Sequence, residues 1–125
     1  MPRETVFGLP RLRVRIDFGD AARLGPGKAD LLERIREAGS IAAAGRAMSM
    51  SYKRAWSLVE ELNAAFREPL VDSTRGGPGG GGARLTETGE TVLAQYRELE
   101  KILGEAGASR LETLREMLKE DAGDN

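Results

Sequence analysis

Ser40–Phe66, SIAAAGRAMSMSYKRAWSLVEELNAAF, is the stretch whose reading decides the fold. Two helical segments meet across a very short turn. Ala44 and Met48 stand one helical turn apart on the first segment, Met50 sits in the turn, and Ala55 and Leu58 face back from the second. Gly45, beside Ala44, leaves the space that a closely crossing helix needs. Ser51 is placed to cap the second helix by accepting a backbone N–H from its first turn, so Tyr52, Lys53 and Arg54 project from its N-terminal end. The spacing predicts a helix-turn-helix, and in such a unit that end is the one a DNA-reading helix puts into the major groove. Alanine-rich helix pairs filled by Met and Leu also occur in small helical domains of other function, so the flanking sequence has to decide.

The chain has 125 residues, the size of one domain with a modest core and one or two peripheral elements. A hydrophobic fraction of 40% beside a charged fraction of 31% describes a soluble globular protein, and no apolar run approaches the ~18 residues of a membrane span. The opening residues, MPRETVFGLPRLRV, contain no apolar stretch of signal-peptide length, which predicts a cytoplasmic protein. Cysteine and histidine are absent, and with them disulfides, thiolate chemistry, imidazole bases and ordinary zinc sites. The remaining carboxylates, Ser, Thr, Lys and Tyr form no reacting constellation, so neither an enzyme nor a cofactor is expected. The net charge of -1 hides an uneven distribution: residues 1–85 carry 14 basic and 10 acidic side chains, residues 86–125 carry 5 basic and 10 acidic. That polarity leaves the first part suited to phosphate contacts and collects acidity at the other end, with a simply solvated helical surface as the alternative.

Upstream, Leu12, Val14, Ile16 and Phe18 alternate with Arg11, Arg13, Arg15 and Asp17, the pattern of a half-buried strand. Its polar face is either simply solvated or an extension of a phosphate-contacting surface. A turn-rich loop, Gly19–Gly27, leads into a helix from Lys28 with Leu31, Leu32 and Ile35 as its buried stripe; Gly39 stops it and Ser40 caps the next. The reading helix should run to about Phe66, before Pro69. Trp56 lies nearer the side of Lys53 and Ser57 than that of Ala55 and Leu58, which fits either packing or a DNA-facing role.

Beyond that helix, Leu70–Thr74 and Ala83–Thr86 are strand candidates flanking RGGPGGGG, residues 75–82. Two strands and a glycine loop after a reading helix make a wing. Gly76, Gly77, Gly79 and Gly80 would let backbone N–H groups approach phosphate, with Arg75 and Arg84 placing charge at the base of the loop. A disordered tether is the alternative; the endings of a P-loop and of a dinucleotide fingerprint are missing. From Thr86 a capped helix carries Val92, Tyr96, Leu99, Leu103 and Ala106 at alternating spacings of four and three, a seam suited to a second helix. The register then slips to Leu111, Leu114 and Leu118 beside Gly104 and Gly107. A capping box of Ser109 and Glu112 predicts a break near residues 107–109, a last helix to about Lys119, and fraying over residues 121–125. This much apolar surface predicts a homodimer, with a helical hairpin folded back on its own domain as the alternative.

These residues resemble a known family. Gly39-Ser40-Ile41, the run Met50-Ser51-Tyr52-Lys53-Arg54-Ala55-Trp56, and the glycine tract from Arg75 to Ala83 followed by Leu85-Thr86 resemble the N-terminal DNA-binding domain of ModE-type molybdate-dependent transcriptional regulators. The helix pair alone is also similar to LysR-type regulators. The resemblance spans Gly39–Thr88 closely and residues 10–105 more loosely. It implies a winged helix-turn-helix, sequence-specific binding of double-stranded DNA, and dimerisation through the terminal helices. It carries recognition duty onto Ser51, Tyr52, Lys53, Arg54 and Ser57, and phosphate or minor-groove duty onto Arg75 and the wing glycines. Full-length members continue into Mop- or TOBE-type molybdate-binding modules, for which this chain leaves no room, so no molybdate-site residue is carried over.

The expectation is therefore a mainly α protein with a small β wing: a DNA-binding domain over residues 1–88, a dimerisation segment over 89–120 and a tail over 121–125. The dimer seam would use Val92, Tyr96, Leu99, Leu103, Leu111, Leu114 and Leu118. Its expected role is a homodimeric, cytoplasmic DNA-binding transcriptional regulator, without a metal, a membrane partner or a molybdate module. Two other readings stay open at this point: a winged scaffold that binds a protein partner, and an oxyanion sensor using the glycine loop or the dimer seam.

Overall fold

The computed structural model describes residues 10–20, 22–74 and 81–119. Contacts divide the chain into two units, Val14–Arg97 and a second one drawn from the flanking segments.

The first unit opens with a short ribbon, β1 (Ile16–Asp17) against β2 (Arg23–Leu24), paired antiparallel as Ile16 with Leu24 and Asp17 with Arg23. The strand expected from Leu12 to Phe18 is thus reduced to Ile16–Asp17, near its end. A strand extends only as far as its partner, and β2 ends where Gly25 and Pro26 start the first helix, so pairing does not reach Arg15 and, outside this unit, Leu12 stays 40% exposed. Phe18, at the turn side with its N–H on the Ala22 carbonyl at 2.9 Å, is 47% exposed. Arg11, Arg13 and Arg15 are exposed, as the alternation required.

Helix α1 (Pro26–Ala38) buries Ala29, Leu31, Leu32 and Ile35 and ends at Gly39, whose φ of 75° is the left-handed stop that only glycine adopts without strain. Helix α2 (Ile41–Ala47) follows at once, with the Ser40 hydroxyl accepting the Ala43 N–H at 2.9 Å. The crossing of α2 with α3 (Tyr52–Ala65) falls on Gly45: a Cβ there would stand 3.0 Å from the Ala55 Cβ, at the limit of tolerable approach. Ser49 takes the left-handed conformation of the turn, φ 58°, and Met50 N–H bonds back to the Gly45 carbonyl at 2.9 Å. Met48, Met50 and Trp56 pack on a core built from α1, Leu58, Val59 and Leu62 of α3, and the elements that follow.

Those elements are β3 (Val71–Ser73) and β4 (Ala83–Leu85), antiparallel with Val71 opposite Leu85 and Ser73 opposite Ala83. Asn63 ties the pair to α3. Its side-chain oxygen accepts the N–H groups of Leu70 at 2.8 Å and Val71 at 3.0 Å, and its nitrogen donates to the Val71 carbonyl at 3.1 Å. On the other side, Ala83 N–H donates to the Gly39 carbonyl at 2.8 Å, fastening β4 to the α1–α2 corner. With a helix pair, a third helix and a two-stranded wing, the architecture is a winged helix-turn-helix.

Helix α4 (Glu87–Ala106) is capped by Thr86, whose hydroxyl accepts from Gly89 N–H at 2.9 Å and donates to the Pro69 carbonyl at 2.7 Å. Within the first unit, its Arg97 spans Asp30 and Glu33 of α1 at 2.8 and 2.6 Å, and its Glu90 pairs with Arg36 at 2.9 Å. Tyr96 is 1% exposed and donates its hydroxyl to the Val14 carbonyl. It is a core residue, which corrects its expected place in a dimer seam: the period that suits a partner helix here serves the protein's own core. Val92 is likewise half-buried against that core.

In the second unit, α4 stops at Ala106, and α5 (Ala108–Glu116) starts after Gly107. The break lies where expected, but without the capping box. Ser109 is inside α5, with its carbonyl accepting from the Thr113 hydroxyl at 3.1 Å, and Glu112 pairs with Arg115 one turn on. The helix ends at Glu116, short of the expected Lys119.

Candidate nucleic-acid interface

The first turn of α3 concentrates cationic and aromatic groups at one exposed place. Ser51 takes an extended backbone and its hydroxyl accepts the Arg54 N–H at 3.0 Å, so the helix begins at Tyr52 and its first side chains splay into solvent. Tyr52, Lys53 and Arg54 are all exposed, and the first turn contains no acidic residue. Lys53 and Arg54 form no ion pair among the described residues, so their charges are not already spent inside the protein. Ser57 is half-buried one turn above Lys53. The buried side of the same helix, Ala55, Leu58, Val59 and Leu62, fixes its rotation and hence which residues face outward.

Trp56 had two possible settings from sequence. It is half-buried, packs on the core, and meets the Tyr52 ring edge-on with centroids 6.2 Å apart. Arg46, exposed in the last turn of α2, is a cation that the sequence reading left unassigned. Its only sequence signal is a basic residue near the end of the first helix, close to the Ser49–Met50 turn.

At the wing, Arg84 is exposed on β4 and stands 3.8 Å from Asp72, its cross-strand neighbour, at the loose end of ion-pair range. Arg84 therefore shares its charge with Asp72, through a pair exposed enough to be weak. Arg75, Gly76, Gly77, Gly79 and Gly80 lie outside the described residues. Their anchor points are described: Thr74 N–H donates to the Gly82 carbonyl at 2.9 Å, and Gly82 N–H to the Thr74 hydroxyl at 3.1 Å.

At the opposite end of α3 an open cleft of about 460 Å³ is lined by Gly19, Asp20, Ala22, Arg23, Lys28, Glu61, Ala64 and Ala65. Lys28 there donates to the Arg23 carbonyl at 3.0 Å and pairs with Glu61 at 3.1 Å. Among the described residues, no three His, Cys, Asp or Glu side chains converge on a metal position, and no helix is long and apolar enough to cross a membrane.

An exposed, acid-free helix start, held by a helix pair and followed by a tethered two-stranded wing, is the geometry of a helix-turn-helix that docks on DNA. Residues 28–90, from α1 to the first turn of α4, match the bacterial regulatory helix-turn-helix proteins of the lysR family. The chain belongs to that family. The chain is 44% identical over 86 residues to the molybdenum-pterin-binding protein MopA of Rhodobacter capsulatus, covering 69% of this chain and 32% of the relative. Identity to the molybdenum transport protein ModE of Azotobacter vinelandii is 40% over 92 residues, 74% of this chain and 33% of that one. The DNA-binding transcriptional dual regulator ModE of Escherichia coli K12 is 38% identical over 77 residues, 62% of this chain and 29% of the regulator. These matches bear out the ModE-type resemblance drawn from Gly39–Thr88. The chain spans about a third of the length of these relatives.

Proposed function

We propose that this chain is a sequence-specific DNA-binding transcriptional regulator that acts as a homodimer on a two-fold symmetric site. One observation carries the DNA-binding part: the first turn of α3 presents Lys53 and Arg54 without an acidic neighbour or an internal ion pair. Lys53 and Arg54 reach base edges or flanking phosphates, Ser57 adds a hydrogen bond, and the wing grips the neighbouring backbone through Arg75 and its glycines. In the functional division proposed, residues 1–88 bind DNA and residues 89–120 pair the two copies.

Support for pairing comes from the second unit. Leu99 (40%), Ile102 (48%) and Leu103 (40%) on α4 are exposed, as are Leu114 (62%), Met117 (76%) and Leu118 (57%) on and just after α5. Leu111 is half-buried. Apolar side chains at this density on two consecutive helices are costly to leave in water, and a second surface that covers them removes that cost. Ile102 and Met117 join the proposed seam, and Tyr96 leaves it.

Selection of bound sites from a random DNA pool tests both parts. A two-fold consensus with a fixed half-site spacing is expected. Lys53→Ala or Arg54→Ala should cost ~1–3 kcal/mol of binding where the side chain reads a base, and lower the salt slope by about one where it touches only phosphate. An unchanged affinity in the double variant would remove α3 as the reading helix, and a consensus without symmetry would remove the dimer.

A further inference from the structure

Tyr52 is the most exposed aromatic side chain among the described residues, at 57%, and it stands at the first position of α3 beside Lys53 and Arg54. Its hydroxyl makes no hydrogen bond among the described residues, so no polar contact orients it. What the ring does have is Trp56, one turn along the same side of the helix. The two rings meet at 78° with centroids 6.2 Å apart, a favourable edge contact. Trp56 in turn is half-buried and packs on the core. An otherwise free side chain at a helix start is thereby held in one direction through a neighbour rooted in the protein.

Such pre-ordering matters for recognition, because a side chain already fixed loses less rotamer freedom on binding. A ring directed into a major groove meets mostly polar base edges. The one apolar group displayed there is the 5-methyl of thymine. We propose that Tyr52 and Trp56 act as a single aromatic reading element, in which Trp56 is a positioning residue that holds the Tyr52 ring against the methyl group of a thymine. The proposal rests on the reading of α3 as the recognition helix and adds the base feature it detects and the residue that aims it.

The test uses the full 125-residue chain and its selected duplex, with each thymine replaced in turn by deoxyuridine, which differs only by the missing methyl. One thymine per half-site should show a loss of about fourfold in affinity, the worth of one buried methyl group. Tyr52→Phe keeps both the affinity and the preference for thymine over uracil, whereas Tyr52→Ala removes the preference. Trp56→Leu brings the ratio of the two affinities close to one, and Trp56→Phe restores part of it; because it is a ratio, it is unaffected by loss of folded protein. Equal binding of wild-type protein to every uracil-substituted duplex overturns the methyl contact and leaves α3 as the reading helix. A Tyr52→Phe variant weakened equally on thymine and uracil duplexes makes the residue a hydroxyl contact and also overturns the proposal. Full preference in Trp56→Leu overturns the positioning role. Failure to select any site overturns the reading of α3 itself.

Discussion

Gly89→Ala should destabilise the protein even though it places a better helix former in a helix. Gly89 is in the first turn of α4, directly over the Leu70 carbonyl. A Cβ built there overlaps the Leu70 oxygen and comes within 3.0 Å of its carbonyl carbon and 3.2 Å of its Cα. All three atoms are backbone, so no rotamer change relieves the clash. Leu70 is fully buried, its N–H is held by Asn63 at 2.8 Å, and its carbonyl accepts Thr86 N–H at 2.9 Å. Overpacking of this kind costs ~1–3 kcal/mol, and displacing the carbonyl adds about 1 kcal/mol for the Thr86 hydrogen bond. Alanine's helix preference returns up to ~1 kcal/mol. The net is a loss of about 1–3 kcal/mol, or roughly 4–12 °C in Tm for a chain of this size. Gly104→Ala, in the same helix with nothing within 4 Å of the new Cβ, should instead gain ~0.5–1 kcal/mol. Thermal and urea unfolding followed by circular dichroism measures both. A Gly89→Ala protein as stable as wild type, or a Gly104→Ala protein as weakened as Gly89→Ala, would refute the close approach of α4 to the strand entry.

Asn63→Ala should cost about 2–4 kcal/mol, since it strands the buried N–H groups of Leu70 and Val71, and Asn63→Asp should cost less because it keeps an acceptor for both; urea midpoints give the order. At the surface of α5, the hydrogen bond from Arg115 holds the Glu112 carboxyl below the ordinary glutamate range. A lowered carboxyl stabilises the folded form above its unfolded value and loses that contribution as pH falls through the folded one, and solvent screening keeps the contribution small. Arg115→Ala should return the Glu112 titration midpoint, followed by carboxyl NMR, to the ordinary range.

Local chemistry made the helix pair legible. The Ser40 and Ser51 caps, the Gly39 stop and the small Gly45 each act on residues within one turn or on the adjacent helix, and each stands where the sequence placed it. Misreadings came where the deciding partner is distant. Tyr96 shares its spacing with a helix-pairing seam, and only the Val14 carbonyl, 82 residues away, shows that it points into the core. Leu12–Phe18 alternates like a strand, but its length is set by where Pro26 begins a helix on the other side of a turn. Asn63 and Gly89 gave no signal at all, because an amide on a helix and a glycine in a first turn are unremarkable until the chain folds back over them. Of the proposed reading surface, the exposed turn of α3 was legible from its cap, whereas the edge contact of Trp56 with Tyr52 depends on a rotamer that spacing does not specify.

The two attachments of the wing have a mechanical meaning. One strand is bonded to the end of α3 by Asn63, and the other to the α1–α2 corner through Ala83 and Gly39. The base of the loop and the axis of the reading helix therefore keep a set separation, like two jaws cut from one piece. On the proposed DNA-binding reading, a duplex whose groove and flanking phosphate do not match that gauge would have to bend or twist to fit, and the cost would fall on the DNA rather than on the protein.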